Sequence, residues 1–234
     1  MTANLITRED QVTTLLGEVM FLELLSRILY LEPDREWLES LIENETFIES
    51  PFGVDQPEIL RGMEILQAWS RTHRQGIDDQ DFADLKLDHT KLFIGLDTMP
   101  TAPWESVYFN RDRFVFQEQT LQVRSWYARF DLQAEKYNQE PDDHIGLELI
   151  FMAHLASLAL QAIEEENQGR LDEIMQSKRE FLSEHLLRWG PAWAKLVSQH
   201  ASTDFYRGIA HLTYGGLLAM AKSVQIDLPK EAGL

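Results

Sequence analysis

Glu140-Pro141-Asp142-Asp143-His144-Ile145-Gly146-Leu147-Glu148 gathers four carboxylates and an imidazole into nine residues. Two chemistries suit such a cluster. A histidine beside a carboxylate can act as a general base, which points to Asp143 and His144. Alternatively, adjacent carboxylates can accept the planar, multiply donating face of a guanidinium group. A metal site fits less well, because His144 and Glu148 supply two ligands where a zinc ion needs three or four. Asp88-His89 holds the remaining candidate ligands, far away in the chain. No metal site is therefore expected.

The enzyme reading lacks supporting parts. There is no G-x-S-x-G nucleophile elbow and no glycine-rich phosphate loop of the P-loop or dinucleotide type. The chain has no cysteine, which excludes disulfides, thiolate zinc or iron–sulfur ligation and a cysteine nucleophile. No catalytic residue and no cofactor are expected. A small acidic enzyme using Asp143 and His144 for acid–base chemistry stands as the alternative.

The elements that must position these residues read as helices. Pro141 suits a first helical turn, and Asp142 or Asp143 can cap free backbone N–H groups. The spacing predicts a long apolar helix from Asp142 to about Asn167, with His144 and Glu148 four apart on one face. Upstream, Val12, Leu15, Leu16, Val19, Leu22, Leu25, Ile28 and Leu29 recur at spacings of three and four, predicting a core helix from Asp10 to Leu31. Glu32-Pro33-Asp34 stops it and starts a second through Trp37 and Leu41. A third is expected from about Pro57 to Arg74, and a fourth through Phe82 and Phe93. Further helices are predicted over Arg111–Tyr137, over Leu171–Ala201 with a bend or break near Gly190-Pro191, and over Thr203–Val224. Val107–Phe109 and Phe114–Phe116 pass as short strands without partners. The fold class is all-α, in one domain of about nine or ten helices over residues 1–234.

Composition narrows the partners. A formal net charge of −18 repels nucleic acid and anionic lipid and attracts basic partners. No stable membrane insertion is expected. The best candidate, Leu147 to Ile163, is interrupted by Glu148 and His154 and falls short of about 18 continuous apolar residues. The apolar run from Val12 to Leu31 carries Glu18, Glu23 and Arg27, unlike a signal peptide, so the expected location is the cytoplasm.

Three blocks carry a family resemblance. Leu92-Phe93-Ile94-Gly95 is followed by Pro100-Thr101-Ala102-Pro103-Trp104-Glu105-Ser106-Val107-Tyr108; the 140–148 segment comes second; Phe181 to Trp193 comes third. In order and spacing they resemble the TorD/DmsD family, cytoplasmic chaperones that mature molybdenum-containing redox enzymes before export. The loop after Gly95 departs from the family pattern by reading Leu-Asp-Thr-Met-Pro, where many relatives carry a shorter turn. The resemblance implies a TorD-like helical bundle that binds the twin-arginine signal peptide of a molybdoenzyme subunit. It would support cofactor insertion and prevent premature export. The implied partners are that peptide and the apo form of a molybdopterin oxidoreductase subunit, with the chaperone a monomer or a helix-swapped dimer. Glu140, Asp142 and Asp143 would accept the arginines, with Pro141, His144 and Glu148 completing the motif. Phe93, Trp104 and Tyr108, with Trp126, would wall an apolar groove. Asp143 and His144 are expected to be at least partly exposed at a helix N-terminus, near the 100–108 loop.

Overall fold

The computed structural model of the chain describes residues 7–95, 99–136 and 138–227. Leu96, Asp97 and Thr98, which carry the departure from the family pattern, lie outside the described residues, as does Tyr137 at the expected end of one helix.

The described residues are helical, as the periodicity requires. Thr7 caps α1 (Arg8–Tyr30) through a reciprocal pair with Asp10. Asp34 caps α2 (Arg35–Glu43), and Pro57 opens α3 (Pro57–Thr72) at a position where a missing N–H costs nothing. Asp78 caps α4 (Asp79–His89), which runs on into a wide π turn at Thr90–Ile94. A single turn, α5 (Ser106–Phe109), and α6 (Glu118–Ala128) lead to α7 (Ile145–Glu164). Then come α8 (Gln168–Phe181), a second π turn at Leu182–Leu186, α9 (Leu187–His200) and α10 (Asp204–Ser223).

Several boundaries differ from expectation, and α7 begins at Ile145 rather than Asp142. The helix expected over Arg111–Tyr137 shrinks to α6. Arg113 and Phe116 adopt left-handed φ of 55° and 59°, which no helix accepts, and Asn110 bonds the backbone of Ser106 and Phe114 instead. At the other end Asp131 takes φ 57° while the Leu132 N–H returns to the Tyr127 carbonyl, closing a Schellman stop. The stretches 107–109 and 114–116, read as possible strands, are a helical turn and an irregular loop. No break occurs at Gly190-Pro191: α9 continues through Pro191, and the irregular turn lies before it, at Leu182–Leu186.

α7 is the central rod. It packs chiefly against α1 and α8, while α10 packs against α3 and α9. By length and composition α7 could cross a membrane, contrary to the expectation for this stretch. Its apolar side chains are spent on the interior: Ile145, Leu149, Met152, Leu155 and Ala159 are all buried within one cluster that also draws on α1, α3, α9 and α10. Gly146 permits the approach of α1, since a β-carbon there would lie 2.8 Å from Tyr30 Cβ. Ser26 seals the contact by donating to the Gly146 carbonyl at 2.8 Å. The start of α7 is thereby pinned.

Candidate functional site

Before α7 the Lys136 carbonyl accepts the N–H groups of Gln139 and Glu140. The Glu140 carboxylate is then held from two sides, by Lys136 Nζ at 2.6 Å and by the Tyr30 hydroxyl at 3.1 Å. Burial and the charge of Glu140 push the Tyr30 phenol up to about 12, so it stays a donor. Glu140 keeps partial contact with solvent, its side chain 39% exposed. Among the four motif carboxylates it is the accessible one.

The next three residues turn inward. Asp142, Asp143 and His144 are buried, at 1%, 0% and 7% exposure, which corrects the expectation that Asp143 and His144 reach the surface. Most of their polar atoms have internal partners, although Asp142 Oδ1 is buried without one among the described residues. Asp142 Oδ2 accepts from Arg124 Nη2 at 2.6 Å and from its Nε at 3.1 Å. Asp143 accepts the Ser106 N–H at 2.6 Å on one oxygen and the Thr120 hydroxyl at 2.7 Å on the other. Neither aspartate caps α7. That role falls to His144, whose Nδ1 accepts the Gly146 N–H at 3.0 Å. The imidazole sits edge-on to Tyr30 and Trp104, with ring centroids at 5.1 and 5.9 Å. Burial drives its pKa down to about 3, too weak a base to collect protons near neutral pH. The acid–base alternative loses its base.

The 100–108 loop lies against this segment, as expected. Trp104 and His144 form an antiparallel bridge: the Glu105 N–H donates to the Asp143 carbonyl at 2.9 Å, and the Ile145 N–H donates to the Pro103 carbonyl at 2.8 Å. With the Ser106–Asp143 contact, this makes three hydrogen bonds between the two motif blocks. The third block joins from below, where His185 Nδ1–H donates to Glu105 at 2.7 Å. Pro141 is buried at the same junction.

Glu148 faces inward as well, fully buried and with no hydrogen-bond partner on either carboxyl oxygen. Burial, followed by the nearby Glu105 and Asp143 charges, lifts its pKa well above the ordinary value. The environment favours its protonated form.

The expected groove walls divide. Phe93 is a core residue, packed on His89, Trp193 and Tyr206. Trp126 is buried edge-on to Phe181. Tyr108 is mostly enclosed, its hydroxyl donating to the Ala102 carbonyl and its ring lying 5.3 Å from that of Trp189. Trp104, like Tyr108, is half-buried; it lies beside His144, and its buried indole N–H has no partner among the described residues. Sequence reasoning missed Arg124, Thr120, Tyr30 and the Glu105–His185 pair. Glu105 and His185 stand inside the resemblance blocks, but nothing local connects residues eighty positions apart.

Comparison with known proteins gives the family. The family model described as nitrate reductase delta subunit matches residues 60–195, which include all three blocks. The chain belongs to this family, that of TorD and DmsD. It is 27% identical over 206 residues to a probable Tat proofreading chaperone DmsD of Haemophilus influenzae, covering 88% of this chain and 91% of the relative. It is 29% identical over 187 residues to a chaperone protein TorD of Vibrio cholerae, covering 75% and 83%. To the Tat proofreading chaperone DmsD of Salmonella typhi it is 34% identical over 122 residues, about half of each chain (52% and 53%).

Proposed function

We propose that this chain is a cytoplasmic chaperone for a molybdenum-dependent redox enzyme, acting as one unit over residues 1–234. In this reading it binds the twin-arginine signal peptide of the catalytic subunit and withholds that subunit from export until its cofactor is loaded. Support comes from the family, from the names of relatives such as the Haemophilus influenzae protein, and from the formal charge of −18, which favours a basic partner. The observation that carries the reading is the pairing of residues 103–106 with 143–145, which leaves partly exposed Glu140 and half-buried Trp104 flanking one junction.

The burial of Asp142 and Asp143 changes the mechanism. Both carboxylates are enclosed and already hold donors, so a guanidinium reaching them would have to open the junction around Arg124 or Ser106. Glu140 has only an exposed lysine and a tyrosine hydroxyl to exchange. Glu140 therefore receives an arginine, and Trp104 offers a ring face on which a second guanidinium can stack. Pro141, Asp142, Asp143, His144 and Glu148 shape the junction from beneath, and Phe93 and Tyr108 support it from the core. The reading assigns no catalytic step to the chain.

Titration calorimetry with a client signal peptide tests this, with its arginine pair intact, changed to Lys-Lys or changed to Gln-Gln. The expected order of affinity is Arg-Arg, then Lys-Lys, then Gln-Gln, since a lysine keeps the charge but loses the bidentate fork. Equal affinity for all three would refute recognition of the arginine pair, and no binding would refute the chaperone reading.

A further inference from the structure

Phe114 and Phe116 are 62% and 46% exposed, and Leu121, near the start of α6, is 62% exposed. Three large apolar side chains so close in the chain leave an apolar surface uncovered. The loop that presents them is held in shape. Asn110 Nδ2 donates to the Ser106 and Phe114 carbonyls at 2.7 and 2.8 Å, and its Oδ1 accepts the Phe114 N–H at 2.8 Å. Around this loop stand Arg111, Arg113 and Arg188, which make no ion pair among the described residues. Arg113 donates to the Met99 carbonyl at 3.1 Å and lies 5.8 Å from the Tyr108 ring, while Arg188 lies 4.4 Å over the Phe109 ring. Such contacts hold a guanidinium in place without neutralising it. Arg35 and Arg207, by contrast, rest on carboxylates. The acids next to these arginines in the chain are Asp112, Glu118 and Glu184, so this face balances its charges while the chain as a whole stands at −18.

We propose that this face docks peripherally on an anionic phospholipid bilayer, with the Phe114 and Phe116 rings at the acyl boundary and the three guanidiniums on lipid phosphates. The proposal does not depend on the function proposed above. Guanidinium matches phosphate through paired N–H donors, and exposed rings bury apolar area in the interface. The deeper clefts of the surface lie elsewhere: between α1, α2 and α3, between α4 and the start of α10, and beside α7. A helical protein partner needs a groove of that kind, whereas a bilayer needs only an exposed apolar tip flanked by cations. At physiological salt, exposed charges more than about 8 Å away are largely screened. The acids of the remaining surface therefore oppose the contact less than their number suggests. No helix enters the bilayer in this contact, in keeping with the burial of α7 in the core.

The test sediments the full chain with vesicles of phosphatidylcholine alone or mixed with phosphatidylglycerol, beside three variants. Phe114→Ser/Phe116→Asn removes the rings, with Asn chosen because it tolerates the left-handed φ at position 116. Arg111→Gln/Arg188→Gln removes two of the cations. Leu60→Ser, at a 57% exposed position on α3, is the control. All are first checked for unchanged thermal unfolding. The parent is expected to partition onto the mixed vesicles about tenfold more strongly than onto phosphatidylcholine alone. The ring variant should lose about tenfold of that binding, the arginine variant should fall to the phosphatidylcholine level, and Leu60→Ser should match the parent. A parent that stays in solution beside the mixed vesicles overturns the proposal and leaves this face to an acidic protein partner. A ring variant that binds as the parent does, or a control that loses as much as the ring variant, overturns it as well.

Discussion

Glu148 occupies a buried environment that favours its protonated form, and this gives a signed dependence of stability on pH. Its folded pKa is raised, so the unfolded chain releases this proton at lower pH than the native one. The associated stability is fully present below the unfolded value of about 4.5 and is lost as pH rises towards the folded value. Glu148→Gln keeps the shape and removes the titration. It should raise the melting temperature at pH 8 and change it little at pH 4, with about 2–4 °C for each kcal/mol recovered in a chain of this size. Melting curves at the two pH values check this; an equal shift at both would contradict it. His144 works in the other direction. Its pKa of about 3 means the unfolded chain binds a proton below about 6.5 that the native chain refuses, so stability falls as pH drops from there towards 3. At this scale the sequence announced the residue types but not their orientation. Asp142 and Asp143 read as exposed acids because Arg124, Thr120 and Ser106 contact them only in three dimensions.

At the scale of elements, the helices were legible and their ends were not. Periodicity located α1, α3, α7 and α10 because burial of one stripe is written directly in residue spacing. Four stops place Glu45, Asp131, Glu166 and Gln225 in the left-handed conformation, each followed by an N–H returning to a carbonyl five residues back. Glycine is the residue that usually marks such a stop, and none is present at these positions. The α1–α8 contact held a second surprise, a fully buried ion pair between Lys178 and Glu18 at 2.7 Å. In sequence both read as ordinary charged helix residues, 160 positions apart. Removing one partner strands a charge in the core, whereas removing both leaves an apolar contact. Lys178→Met should therefore destabilise the protein by about 3–5 kcal/mol, and adding Glu18→Leu should restore most of the loss. Urea unfolding of the two variants decides; a double variant no more stable than the single one would show that the pair is not the source.

The whole molecule combines a strongly acidic surface with a rigid junction of three sequence blocks. Its association with a basic peptide should weaken as ionic strength rises, but less than a purely charge-driven complex would, because part of the contact is apolar. The fold class and the proximity of the 100–108 and 140–148 segments were both legible. The blocks that carried the resemblance are those that pair through Trp104 and His144. What the chain could not disclose in one dimension is that the junction faces inward and leaves Glu140 as its accessible acid. That is the central claim, and a double-mutant cycle tests it most directly. Calorimetry would measure the parent and Glu140→Gln against a signal peptide with its arginine pair intact and with each arginine changed to Gln. The account predicts a coupling of at least about 1.5 kcal/mol between Glu140 and one arginine, the usual scale of a charge-assisted hydrogen bond. Losses that simply add, within about 0.5 kcal/mol for both arginines, would contradict it.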